Sequence, residues 1–312
     1  MKKLFKIMII TLSLALLIGC GKQRQQSASK IEQALKAAGS NRAEIEQVLG
    51  HYSGDSLRLA AATFLIENMP GHVSYRDRDG EKAFYHIADS LFETIREEAY
   101  DRRRAVIDSL MGLKVAQFWK EGHVQDIEII SADFLIANID SAFAIWEHSP
   151  WARHLDFDEF CETLLPYKIA ELQPLDNWRS QMKNRYTAGI VNLAYCDPYR
   201  YSPVYACIEM NKTLRDSMKP DIRGFDYAVQ ILDMGVKPKV PFGNCGHYAD
   251  LALAAMRSEG IPVVKDYIPI WSFRTLGHEW NAVLDTEGRW VEFGGALSEP
   301  GVEEKIGERK SK

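Results

Sequence analysis

Cys245 stands just ahead of a run of small and apolar residues, Tyr248-Ala249-Asp250-Leu251-Ala252-Leu253-Ala254-Ala255-Met256, and His278 opens an alternating segment thirty-three positions later. No other feature of the chain restricts the fold as much. Ala249 to Met256 are mostly strong helix formers, and Gly260 followed by Pro262 supplies a stop, so the pattern predicts a helix with Cys245 in its first turn. Unpaired backbone N–H groups and the positive end of the helix dipole converge at such a position, and both favour a thiolate over a thiol. Asn244 is the expected N-cap, and the flanking Gly243 and Gly246 leave open space for a substrate carbonyl. The Cys245 N–H is then an oxyanion donor.

The segment after His278 reads as a hairpin. Trp280, Ala282 and Leu284 alternate with Asn281, Val283 and Asp285, the stretch Asp285-Thr286-Glu287-Gly288 is a turn, and Arg289 to Phe293 form the returning strand. A rigid hairpin can hold an imidazole against a helix N-terminus, where His278 would take the thiol proton and later deliver it to the leaving group. Taken singly, a free cysteine is more often a small buried hydrophobe, and a histidine beside a tryptophan a core residue. The joint context favours a nucleophile and its base.

Gly243-Asn244-Cys245, the small-residue helix, Gly260-Ile261-Pro262-Val263, His278-Glu279-Trp280-Asn281 and Arg289-Trp290-Val291 together resemble the transglutaminase-like superfamily. The resemblance covers about a third of the chain, 201–295. It implies a papain-like core whose antiparallel sheet packs on the nucleophile helix, and attack by Cys245 on an amide or peptide carbonyl to give a thioester. It also implies that no metal or organic cofactor is needed, and it favours hydrolysis over crosslinking. Asp133-Phe134-Leu135-Ile136, Phe160-Cys161-Glu162, Leu165-Pro166-Tyr167-Lys168 and Asn177-Trp178-Arg179 resemble, more narrowly, transglutaminase-like lipoproteins of Bacteroidetes. In those proteins the middle segment contributes to the substrate groove, which nominates Tyr167, Trp178 and Arg179, with Trp271 as a cleft wall. Packing between layers is the alternative for these residues.

The pattern of the family includes an aspartate four residues after the second tryptophan, and Gly294 stands there instead. Glu292 points to the same strand face as position 294 and is the nominee for third catalytic member. Its reach depends on the turn. If Gly288 is the left-handed residue of a three-residue loop, Asp285 pairs with Arg289 and Glu292 lies about 13 Å from His278 along the strand. A register two residues shorter would leave the two diagonal and bridgeable.

Lys2, Lys3 and Lys6 precede an apolar run from Ile7 to Ile18, as in a secretory signal peptide, 1–19. Its end, Leu17-Ile18-Gly19-Cys20, resembles a bacterial lipobox, which implies a lipidated Cys20 at the mature N-terminus, 20–30 as a polar tether, and a periplasmic or cell-surface address in a bacterial envelope. Disulfides are permitted there, but Cys161, Cys196, Cys207 and Cys245 form no evident framework. The absence of CxxC and HExxH motifs disfavours a metal.

The 46% hydrophobic and 26% charged residues are ordinary for a soluble globular protein, 31–197 reads as mainly helical, and the resemblance implies an α+β protein whose core is 198–312. Asp55 and Ser131 are expected helix caps, and a long charged helix is expected from Gly80 to Leu113. The charged, helix-prone tail from Glu303 to Lys312 follows the hairpin closely, as in a short or truncated form. A net charge of −5 without a basic patch argues against nucleic acid, so Trp271, Trp280 and Trp290 are walls rather than base-stacking platforms. A peptide, protein or glycoprotein is the expected substrate. The rival reading is a non-catalytic surface protein that binds peptide or glycan.

Overall fold

The computed structural model describes residues 29–75, 122–218, 232–239, 243–270 and 277–302, with isolated helical positions between 83 and 109. The leader with Cys20, the tail after Val302 and Trp271 lie outside the described residues, as does most of the expected helix from Gly80 to Leu113. The helices are α1 (29–37), α2 (Arg42–His51), α3 (Ser56–Asn68), α4 (Ala132–His148), α5 (Phe157–Thr163), α6 (Trp178–Met182), α7 (Pro203–Met218) and α8 (Cys245–Ser258). The strands are β1 (Val73–Tyr75), β2 (His123–Gln125), β3 (Val263–Ile268), β4 (His278–Leu284) and β5 (Trp290–Phe293).

The chain divides into two compact units. The first holds residues up to His72 together with Gln125–Ile136. Asp55 caps α3 by accepting from the Leu57 and Arg58 N–H groups at 3.1 and 3.0 Å, which satisfies two donors that the helix start leaves free. Ile45, Val48, Ala61, Ala62, Leu65 and Ile66 supply the buried stripes of α2 and α3. Asn41 Nδ2 donates to the Ile127 and Ile130 carbonyls, and the Ala132 N–H donates to Glu44, so polar side chains tie the separated segments.

The second unit holds Val73–Val124 and Ala137–Lys312, so the prolines and short turns between 150 and 197 belong with the later sheet. Its centre is α8. Every residue from Gly246 to Ser258 is buried, which is the condition of a helix enclosed on all sides rather than lying on a surface. The helix stops as its sequence directs: Gly260 adopts φ +85°, and the Ile261 N–H returns to the Met256 carbonyl. β3, β4 and β5 form an antiparallel sheet in chain order against α8, with Val263, Val283 and Phe293 in the shared core. Asn211 of α7, fully buried, donates to the Gly294 and Ser298 carbonyls and accepts the Ala296 N–H at 2.7 Å, fixing the loop that follows β5.

Asp176 reports on the interior of this unit. Burial pushes its carboxyl up to about 7, against the pull of the Met234 N–H and with a further push from Asp233. A carboxyl raised in the folded state stabilises fully below its unfolded value near 4, and that contribution is lost as pH rises through about 7. Thermal midpoints measured from pH 4 to 8 should therefore fall for the wild type relative to Asp176→Asn. A constant difference across that range would contradict this assignment.

Candidate active site

Cys245 is the first residue of α8, as the sequence requires. Asn244 caps the helix by accepting the His247 N–H at 3.0 Å. The space expected at Gly243 is filled, however: a Cβ there would lie 2.5 Å from His247 Cβ, so the glycine admits the His247 ring and not a substrate.

The hairpin register decides what faces the thiol. Leu284 pairs with Trp290 and Ala282 with Glu292, Gly288 has φ +78°, and the Asp285 N–H donates to the Arg289 carbonyl. Since the Asp285 N–H points toward β5, alternation directs the N–H groups of Val283, Asn281 and Glu279 to the same edge. β5 ends at Phe293, opposite Asn281, and the next rung is never made. Cys245 Sγ takes that place and accepts from the Glu279 N–H at 3.4 Å. The sulfur thus meets β4 at its edge, one residue beyond His278. Asn281 Nδ2 donates to the Ala249 carbonyl, so the face carrying Glu279, Asn281 and Val283 is the one on α8. His278 lies on the other face and stacks on Trp280, with ring centroids 5.8 Å apart.

The thiol is half-buried, and its protonation departs from the expectation raised by its helix position. Burial pushes the Cys245 thiol above its ordinary value, and the Glu279 carboxylate adds to that push. The Glu279, Gly246 and Cys245 N–H groups pull the other way without prevailing. The helix start supplies the donors the sequence promised, but desolvation outweighs them.

Glu292 is not placed as a third member. It sits on the rung of Ala282, four residues from His278 and so about 13 Å along the strand, and its side chain is exposed. The longer of the two registers open to the sequence is the one adopted. The nominated groove residues are interior. Trp178 and Arg179 are 1% and 5% exposed, Trp178 Nε1 donates to the Tyr167 carbonyl at 2.9 Å, and Arg179 donates to the Leu164 carbonyl at 2.8 Å while lying over the Trp178 ring. In this position they pack, and they supply donors to the Leu164, Pro166 and Tyr167 carbonyls of one stretch of chain.

A buried ionic chain beside the thiol escaped sequence reasoning. Lys237 Nζ lies 2.9 Å from Asp250 Oδ2, Lys265 Nζ lies 2.7 Å from Asp250 Oδ1, and Lys265 Nζ also lies 3.0 Å from Glu279 Oε2. Both members of the first pair are fully buried. Burial alone would raise the Asp250 carboxyl, yet Lys237 and Lys265 bring it below its ordinary value. The available signals were an acid inside an otherwise apolar helix and a lysine in phase with the core residue Val263.

Cys161, Cys196, Cys207 and Cys245 are all free, and no cluster of His, Cys, Asp and Glu among the described residues is arranged to hold a metal ion. No helix among the described residues is long and apolar enough to cross a membrane.

Residues 199–294 match the family model of the Transglutaminase-like superfamily, a span that contains Cys245, His278 and Gly294. The second unit therefore carries a transglutaminase-like domain over residues 199–294. No curated protein and no solved structure matches the chain.

The ionic chain makes a stability prediction. Asp250→Asn leaves Lys237 buried without its counter-charge and should cost about 3–5 kcal/mol, measured by denaturant unfolding. Lys265→Met keeps the Lys237–Asp250 pair and should cost clearly less. Equal losses would show that the fully buried pair has no special weight.

Proposed function

We propose that this protein is a cysteine-dependent amide hydrolase of peptide, protein or glycoprotein substrates, acting through a thioester on Cys245. The observation that carries the reading is the seating of Cys245 Sγ at the start of α8 against the Glu279 N–H, next in sequence to His278. In the resting state the thiol is protonated, because burial and Glu279 hold it up. His278 is accordingly assigned as a base that removes the proton during attack and returns it to the departing amine. The Cys245 N–H and its neighbours in the first turn are the donors offered to the developing oxyanion. Water then resolves the thioester, releasing the acid and the free thiol.

Hydrolysis rather than crosslinking, the tie to lipoproteins of Bacteroidetes, and an anchored position in a bacterial envelope all rest on sequence resemblance. In this proposal Cys20 carries the lipid, and the stretch to Lys30 lets the domain stand off the membrane. A second reading, a non-catalytic surface protein that binds peptide or glycan, is favoured by two particulars. The acid position is Gly294, and His278 shares its strand face with Trp280 and not with the residues that face α8.

Incubation of the full chain with a mixed peptide library, read by mass spectrometry, separates the two. Amide cleavage should vanish in Cys245→Ala and fall roughly 10²–10⁴-fold in His278→Ala. Retained peptide binding with no cleavage in the wild type would leave the binding protein as the correct reading. Fractionation of expressing cells should find the wild type with membranes and Cys20→Ser released from them. An unchanged distribution would remove the lipid anchor from the proposal.

A further inference from the structure

The carboxylate of Glu279 poses a problem for any chemistry at Cys245. Its own backbone N–H touches the sulfur at 3.4 Å, and its side chain is on the face that meets α8. A carboxylate so placed opposes formation of a thiolate. Lys265, on the neighbouring strand, reaches the Glu279 Oε2 at 3.0 Å. Lys265 is not a loose surface charge: its side chain is 23% exposed, and Asp250, with no exposure at all, holds the same ammonium at 2.7 Å. Lys237 occupies the other oxygen of Asp250, so Asp250 stays ionised and the lysine it holds stays in place. The chain of contacts runs from the 3-10 turn Lys237–Lys239 through α8 and β3 to β4, and ends one residue's width from the sulfur.

We infer that Lys265, anchored by Asp250, masks the Glu279 carboxylate from the Cys245 sulfur and is thereby a positioning residue for the nucleophile. The inference rests on the reading of Cys245 as a reactive thiol, but it concerns the thiol's ionisation and not any particular substrate. Among the described residues, the other charged and titratable groups on the elements around the sulfur are these. α8 contributes His247, Tyr248 and Asp250, β4 contributes His278 and Glu279, β3 contributes Lys265, Asp266 and Tyr267, the last directly across from Glu279, the 3-10 turn contributes Lys237, and α7 presents the neutral Asn211 to the loop after β5. Arg179, Lys183, Arg257 and Glu259 gather at the opposite end of α8, about 18 Å along its axis. Glu292 is four residues along the strand from His278 and solvent-facing.

Electrostatics fixes the sign of each substitution. Loss of the cation exposes the carboxylate and disfavours the thiolate, whereas loss of the carboxylate favours it. Because Lys265 acts through Glu279, its removal should matter little once Glu279 is neutral. A residue that merely held the fold together would not produce this pattern.

The test is the pH dependence of Cys245 alkylation by iodoacetamide in the full chain, resolved from the other cysteines by peptide mass spectrometry. Lys265→Met should move the midpoint up by about half a unit or more, Lys265→Arg should restore it, and Glu279→Gln should move it down. The double variant K265M/E279Q should match E279Q alone. Thermal unfolding checks that each variant is folded. Should K265M fail to fold, E279Q decides, since its carboxylate is partly open to solvent and its loss spares the Asp250 pairs. A folded K265M with the wild-type midpoint, an E279Q without a downward shift, or a K265M effect that persists in the E279Q background would each overturn the inference. His278→Ala in the same assay keeps the two readings apart: a midpoint that answers to Lys265 and Glu279 but not to His278 loses the dyad and retains the positioning role.

Discussion

A carboxylate with no access to water sits at the centre of this unit, and much of the surrounding structure answers to it. Asp250 belongs to a helix buried on every side, so its charge is tolerable only if cations are brought to it. Lys237 and Lys265 do so from two different elements, and their positions then fix the 3-10 turn and β3 relative to α8. β4 follows β3 through its ladder, and Glu279 follows through Lys265. The Cys245 sulfur meets β4 at one end of this ionic chain, on a sheet that the shared apolar core and the Asn281–Ala249 hydrogen bond also hold against α8.

The thiol shows two opposing effects. The helix start gathers N–H donors around the sulfur, while enclosure by the sheet removes the water that would stabilise a negative charge. Enclosure wins at rest. A thiol kept protonated is insensitive to stray electrophiles, and under the proposed function it depends on a base for its activation, the task proposed for His278.

The sequence made the helix and the hairpin plain because both are written in local terms: helix formers bounded by Asn244 and Gly260, alternation bounded by a turn ending in Gly288. It even held the correct register among two, and the left-handed Gly288 selects it. What was not legible depends on which surfaces meet. Trp178 and Arg179 look like binding residues in isolation, since aromatic and guanidinium groups serve interfaces and interiors alike, and only the carbonyls of Tyr167 and Leu164 reveal their use. Lys237, Asp250 and Lys265 are common residue types whose meaning arises when folding brings them together across 28 positions. Gly243 invited the opposite error, because the opening left by a missing side chain was filled by a neighbour one turn ahead.

β5 stops at Phe293, and the loop behind it is turned away by Asn211 and by the close approach of Gly295 to the Tyr248 carbonyl. That early ending makes the length of a strand a chemical variable. One further rung would set a peptide carbonyl on the Glu279 N–H, and the sulfur would lose a donor without any change to the side chains around it.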